Sequence, residues 1–214
     1  MPDTSRKRPS VSTTLLGSPE RRAWLTAAGA LALGASFGCR RPADLPALGS
    51  VGTFSLTDQA GRPVNAESMR GHVWAAAFFF TRCPTVCPRI TRRMRDLQLG
   101  AAKDSVKLQL VSFSVDPDND TPEVLAAYAK QYNADLATWR FLTGDLEVVR
   151  RTSEQGFKLA LDGKATAGAD HFGLFHGSHL VLVDGAGQIR GYYRTSEDSQ
   201  MAQLLSDAKL LASG

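Results

Sequence analysis

Cys83 and Cys87, in the run Cys83-Pro84-Thr85-Val86-Cys87-Pro88, stand four positions apart directly after an apolar stretch. If the segment is helical, positions i and i+4 bring the Cβ atoms to roughly 5–6 Å, close enough for one metal to bridge both sulfurs at bonds of about 2.3 Å. The corresponding Cα separation, about 6 Å, also suits a disulfide. A metal pair and a redox pair are therefore both open on spacing alone. Flanking prolines at a strand-to-helix turn are odd company for two cysteines that merely fill space.

The prolines place the pair. A residue before proline is pushed out of the α region, whereas proline itself suits the first helical position. Cys83 is expected at a strand end, with a helix beginning between Pro84 and Pro88 and Cys87 in or beside its first turn. Backbone N–H groups at a helix start favour thiolate over thiol, which improves a sulfur both as ligand and as nucleophile.

The elements that must hold this turn follow in regular alternation. Thr53 to Asp58 and Pro63 to Gly71 suggest a short N-terminal hairpin, and Val73 to Phe80 is an uninterrupted apolar run suited to a central strand. Ile90, Met94 and Leu97 recur at helical spacing, with Gly100 expected to end that helix. Val106, Leu108 and Leu110 run on to Val115 as a second strand, ending at Asp116-Pro117. Thr121-Pro122 opens a helix carrying Val124, Leu125, Tyr128 and Tyr132 on one side. Trp139 to Leu142 reads as a short strand, and Leu146, Val149 and Phe157 mark another helix. Leu180 to Val183 and Gln188 to Tyr193 flank a glycine turn at Asp184-Gly185-Ala186-Gly187, and an amphipathic helix with Met201, Leu204, Leu205, Ala208 and Leu211 follows. This order predicts an α/β domain of thioredoxin-like fold with a short N-terminal β-hairpin extension. Right-handed crossovers between parallel strands bring Cys83, Cys87 and Asp116 to one edge of the sheet.

The ends and the charge bound the function. Residues 1–45 carry seven Lys/Arg against three Asp/Glu, whereas residues 46–214 carry 18 of each, so the net charge of +4 belongs to the N-terminal segment. No footprint for nucleic acid remains in the domain. Arg89, Arg92, Arg93 and Arg95 crowd the helix after the cysteines, as thiolate support, a contact for an acidic partner, or a solvated face. Glu20-Arg21-Arg22-Ala23-Trp24-Leu25 resembles a twin-arginine export signal, and the 16 apolar residues Ala23 to Gly38 fall short of the ~20 that span a bilayer. Cys39 stands where a lipoprotein signal places its acylated cysteine, although Ser36 departs from the leucine such signals prefer. The chain thus reads as an export signal or membrane anchor over 1–39, a linker over 40–52 and a folded domain over 53–214.

Four histidines could add a nitrogen donor: His72, His171, His176 and His179. His72 opens a strand at the far end from the cysteines. His176 and His179 differ by three, so in extended chain they face opposite ways. Strand logic leaves His171 and His176 both open.

Three motifs then occur in order: Phe80-Thr81-Arg82-Cys83-Pro84-Thr85-Val86-Cys87-Pro88, Ser112-Phe113-Ser114-Val115-Asp116-Pro117-Asp118-Asn119-Asp120-Thr121-Pro122, and His176-Gly177-Ser178 leading to Leu182-Val183-Asp184. Together they resemble the Sco/SenC family over roughly residues 50–212. The resemblance implies a thioredoxin-like, membrane-tethered protein that binds one copper through Cys83, Cys87 and His176 and helps assemble the dinuclear copper centre of cytochrome c oxidase. It also implies that Asp116 and Asp120 match an Asp-x3-Asp motif near the metal. Asp120 has a second reading as the N-cap of the helix opened by Pro122, with Glu123 completing a capping box. Gly177 and Ala186 depart from common family choices.

Two thiolates and an imidazole suit both Cu(I) and Cu(II). The expected function is a copper metallochaperone rather than a turnover enzyme, partnered by the copper-site subunit of the oxidase and by a copper donor protein. Its expected place is the periplasmic face of a bacterial inner membrane, held by the N-terminal segment or a lipid on Cys39. The competing reading is a thiol–disulfide oxidoreductase that uses a Cys83/Cys87 disulfide to reduce a partner's copper-ligand cysteines. A peroxidase reading lacks a lone peroxidatic cysteine.

Overall fold

The computed structural model describes residues 45–160 and 178–213. Among them eight strands form one sheet: β1 (Gly49–Ser50), β2 (Ser55–Asp58), β3 (Pro63–Asn65), β4 (Val73–Phe79), β5 (Leu108–Ser114), β6 (Trp139–Thr143), β7 (His179–Val183) and β8 (Gln188–Arg194). Their order across the sheet is β1-β8-β7-β4-β5-β6-β2-β3. The central trio β4, β5 and β6 is parallel, and every other pairing is antiparallel. Four α-helices accompany it: α1 (Val86–Lys103), α2 (Pro122–Gln131), α3 (Leu146–Arg151) and α4 (Asp198–Ala212).

All seven residues of β4 are buried, because both faces of the strand are covered. Alternation sends Trp74 and Phe78 to one face, where both meet Phe157 edge-on at 5.8 and 5.3 Å between ring centroids. Phe79 points the other way, against Tyr128 of α2 at 5.3 Å. Ring pairs of this kind contribute about 0.5–1.5 kcal/mol each beyond their burial. A large core therefore surrounds the strand that ends at the cysteines, and the position of that strand end is fixed from both sides.

Three expectations need correction. Gly100 does not end α1, which continues to Lys103. A Cβ at Gly100 would lie 3.0 Å from the Leu205 side chain, so the glycine lets α4 pack closely on α1. Residues 40–52 are not wholly a linker. Gly49 and Ser50 pair with Ile189 and Gln188, the Arg190 side chain donates to the Leu45 carbonyl at 2.7 Å, and Val51 is buried. Gly156 permits this docking, since a Cβ there would sit 2.3 Å from the Val51 carbonyl oxygen. Finally, the helix signalled by Phe157 stops at Arg151 and passes into a single π turn over Thr152–Gly156.

Candidate metal centre

Strand β4 delivers the chain to Cys83 and α1 begins three residues later, at Val86. Pro88 falls in the first turn, where a missing N–H removes no helical hydrogen bond. Both cysteines are free thiols and both are buried, Cys83 with 8 % of its surface exposed and Cys87 with 1 %. The Cys87 backbone N–H donates to Cys83 Sγ at 3.5 Å.

The two sulfurs differ electrostatically. Burial pushes the Cys83 thiol up, but the N–H groups of Cys87 and Thr85, the Cys87 thiol and the N–H of Val86 outweigh it and hold Cys83 below the ordinary thiol value. Burial pushes the Cys87 thiol strongly up, and the Phe80 backbone only partly offsets this, while Cys83 and Asp120 add to the rise. Cys83 is thus poised toward thiolate and Cys87 toward thiol. Behind Cys87, the Thr91 hydroxyl donates to its carbonyl at 2.9 Å and accepts from the Tyr128 hydroxyl, also at 2.9 Å.

The loop after β5 brings both aspartates to this edge. Asp116 is buried and takes Arg82 Nε at 3.2 Å and a second guanidinium nitrogen at 2.8 Å on one oxygen, with Asn119 Nδ2 at 2.8 Å on the other. Asp120 has no exposed surface. Its carboxylate accepts from the Thr81 N–H at 3.2 Å, from Thr81 Oγ1 at 2.5 Å and from Ser114 Oγ at 2.5 Å. The N-cap reading of Asp120 is overturned: Thr121 caps α2, its Oγ1 accepting from the Val124 N–H at 3.4 Å. The inward turn of Asp120 follows from the donors that Thr81 and Ser114 leave at the strand ends. Asp120 and Asp116 each tie a residue just before Cys83 to the β5 end. Thr81 and Arg82 lie within the motifs yet carried no role in the sequence, because their bonds to Asp120 and Asp116 join residues 39 and 34 positions apart and leave no local pattern; Ser114, six positions before Asp120, was likewise given none.

The histidines divide. His72 is exposed at the opposite end of β4. His179 opens β7 across from Arg194, and burial followed by that arginine keeps its imidazole below the usual value. His171, His176 and Cys39 lie outside the described residues. Among the described residues no three His, Cys, Asp or Glu side chains gather to hold a metal ion, and no helix is long and apolar enough to cross a membrane. The two thiols nonetheless fit a soft cation: they are adjacent, and the surroundings of Cys83 ease formation of the anionic form that a metal requires.

Residues 44–210 match the SCO1/SenC family profile. The chain belongs to the SCO1/SenC family. A SCO1/SenC family lipoprotein from Bacillus anthracis superposes with a TM-score of 0.68 at 34% identity, covering 76% of this chain and 95% of that one. BsSco, a member of the Sco family of cytochrome c oxidase assembly proteins with an identified disulfide switch, gives 0.68 at 33%, covering 77% and 94%. ScoI of Bradyrhizobium japonicum, solved with copper bound, gives 0.60 at 25%, covering 72% and 96%. The fold is accordingly the thioredoxin-like one that the order of elements implied.

Proposed function

We propose that this SCO1/SenC protein is a copper metallochaperone whose cargo site is Cys83, Cys87 and His176, serving the dinuclear copper centre of cytochrome c oxidase. The observation that carries the reading is the paired thiols at the start of α1, one held toward thiolate, in a chain whose relatives include a copper-bound ScoI. The family resemblance makes His176 the third donor, and its place in the chain is compatible with that. It lies two residues before Ser178, and β7 starts at His179 on the edge where β4 leads into Cys83. Two residues span at most about 7 Å. Soft thiolates hold Cu(I), an imidazole nitrogen helps retain Cu(II), and the unfilled fourth position admits an incoming ligand for transfer. Asp116 and Asp120 hold the segment before Cys83 from beside the ligands, through Arg82 and Thr81.

In this reading residues 1–39 export and tether the protein to the periplasmic face of a bacterial inner membrane, either as an anchor or through a lipid on Cys39. The lipoprotein relative supports the second form. A separate copper donor loads the site, and the copper-site subunit of the oxidase receives the ion.

The thiol–disulfide reading is favoured by a different observation, the contrast between the two sulfurs. An exchanging dithiol needs one sulfur that ionises readily and one protected thiol, and the surroundings lower the Cys83 thiol while burial raises Cys87. The histidine separates the two readings. Reduced full-length protein is expected to bind one copper per chain, with binding abolished by Cys83→Ser or Cys87→Ser, and His176→Ala is expected to weaken Cu(II) more than Cu(I). Cells carrying His176→Ala should lose oxidase copper assembly under limiting copper nearly as fully as cells carrying Cys83→Ser. Normal assembly with His176→Ala beside failure of either cysteine variant would make the protein chiefly a reductase.

A further inference from the structure

The arginines of α1 are not spent alike. Arg93 donates to the Thr195 carbonyl at 2.9 Å and pairs with Asp198 at 2.5 Å, and Arg95 donates to Gln98 at 3.1 Å. Arg82 pairs with Asp116 yet keeps 55% of its side chain exposed. Arg89 and Arg92 are exposed and have no hydrogen bond or ion pair among the described residues, although Asp96 lies one turn beyond Arg92. No acidic residue stands in the first turn of α1.

This placement works against stability. Arg89, at the end of the first turn, meets the positive end of the helix dipole at a cost of about 0.3–1 kcal/mol, and it repels Arg92 three positions on. Nor does it reflect a general excess, since residues 46–214 carry equal numbers of basic and acidic side chains. Arg89 lies about one turn and Arg92 about two turns along α1 from Thr85, and Pro84 and Thr85, between the two cysteines in sequence, are exposed.

We propose that Arg89 and Arg92, with the outer face of Arg82, form a cationic docking surface for an acidic face of the protein that exchanges copper with this one. The proposal rests on the copper reading, because ligand exchange brings a partner's donor atom within bonding reach of a metal held by nearly buried sulfurs. Whatever surrounds those sulfurs is then in the interface. Opposite charge there speeds encounter and aligns the two sites. An anionic membrane would fit the charge too, but it would press the thiols against lipid headgroups and shut out the exchanging protein.

The test uses the full-length protein and the purified apo copper-site domain of the oxidase subunit from the same cells, titrated against each other at about 20 and 200 mM salt, where screening lengths differ about threefold. The wild-type affinity is expected to fall roughly tenfold with salt. Arg89→Glu/Arg92→Glu should lose roughly tenfold or more at low salt and flatten the salt dependence, with Arg89→Gln/Arg92→Gln between the two. Copper stoichiometry of the variants should match wild type. The proposal is overturned if wild type forms no complex, or if the Glu variant keeps wild-type affinity and salt slope. It is also overturned if reversal abolishes binding to phosphatidylglycerol vesicles and leaves the complex intact. Docking that is lost on reversal in a protein that binds no copper would support this surface and remove the copper reading instead.

Discussion

Asp120→Ala should destabilise the domain by about 3 kcal/mol, because it removes the acceptor of two donors beside a fully buried carboxylate and a stranded buried donor costs about 1–3 kcal/mol. Those donors are the Thr81 N–H and the Ser114 hydroxyl, at 3.2 and 2.5 Å from the carboxylate. For a domain of this size 3 kcal/mol lowers Tm by about 10 °C. Asp120→Asn keeps one acceptor oxygen and removes the charge, so it separates hydrogen bonding from electrostatics. Burial pushes the Asp120 carboxyl up, the Ser114 and Thr81 hydrogen bonds pull it down, and Asp116 raises it further, leaving it above its ordinary value of 3.8. The folded state therefore holds this proton more tightly than the unfolded chain does. Wild-type stability from this group is fully present below 3.8 and is lost as pH rises through the higher folded value. Urea unfolding from pH 3 to 7 should show the advantage of wild type over Asp120→Asn shrinking as pH rises. An alanine variant within about 0.5 kcal/mol of wild type would refute the hydrogen-bond argument. A wild-type advantage that grows with pH would refute the electrostatic one.

Gly156→Ala puts a Cβ 2.3 Å from the Val51 carbonyl oxygen, so it should cost about 2 kcal/mol or more and speed hydrogen exchange at the Leu48 and Val51 amides as β1 lifts from β8. Unchanged melting and exchange would count against the docked N-terminal strand. Iodoacetamide should alkylate Cys83 of the reduced protein near neutral pH while Cys87 stays unmodified beyond pH 9, as read by peptide mass spectrometry. The reverse order would contradict the assigned asymmetry.

The local determinants of the site were legible in the sequence. An apolar run with no polar interruption must be buried on both faces, which identified β4, and two prolines bracketed the start of α1 closely. Non-local determinants were not. Gly100 carries the usual mark of a helix end, and only the approach of Leu205 explains its place inside α1. Residues 49–51 look like linker because two-residue pairing with β8 leaves no periodicity. Asp120 precedes a proline-opened helix, as an N-cap does, and its inward turn depends on donors from two other strand ends. His176 was drawn from family resemblance, not from spacing.

The inequality of the sulfurs links the two functional readings to one cause. Cys83 meets several backbone N–H groups because it sits just ahead of α1, whereas Cys87, four residues on, is turned under the helix against Phe80 and the Thr91–Tyr128 pair. A metal that needs both sulfurs deprotonated must therefore displace its proton mainly from Cys87, and retention should weaken as pH falls. In exchange chemistry the same arrangement makes Cys83 the attacking sulfur and leaves Cys87 protected until a mixed disulfide forms at Cys83. Copper held by both sulfurs blocks that attack, and a Cys83–Cys87 disulfide removes both ligands. The two proposed activities are thus mutually exclusive states of one pair, and on either reading a disulfide between the thiols would close the site to metal.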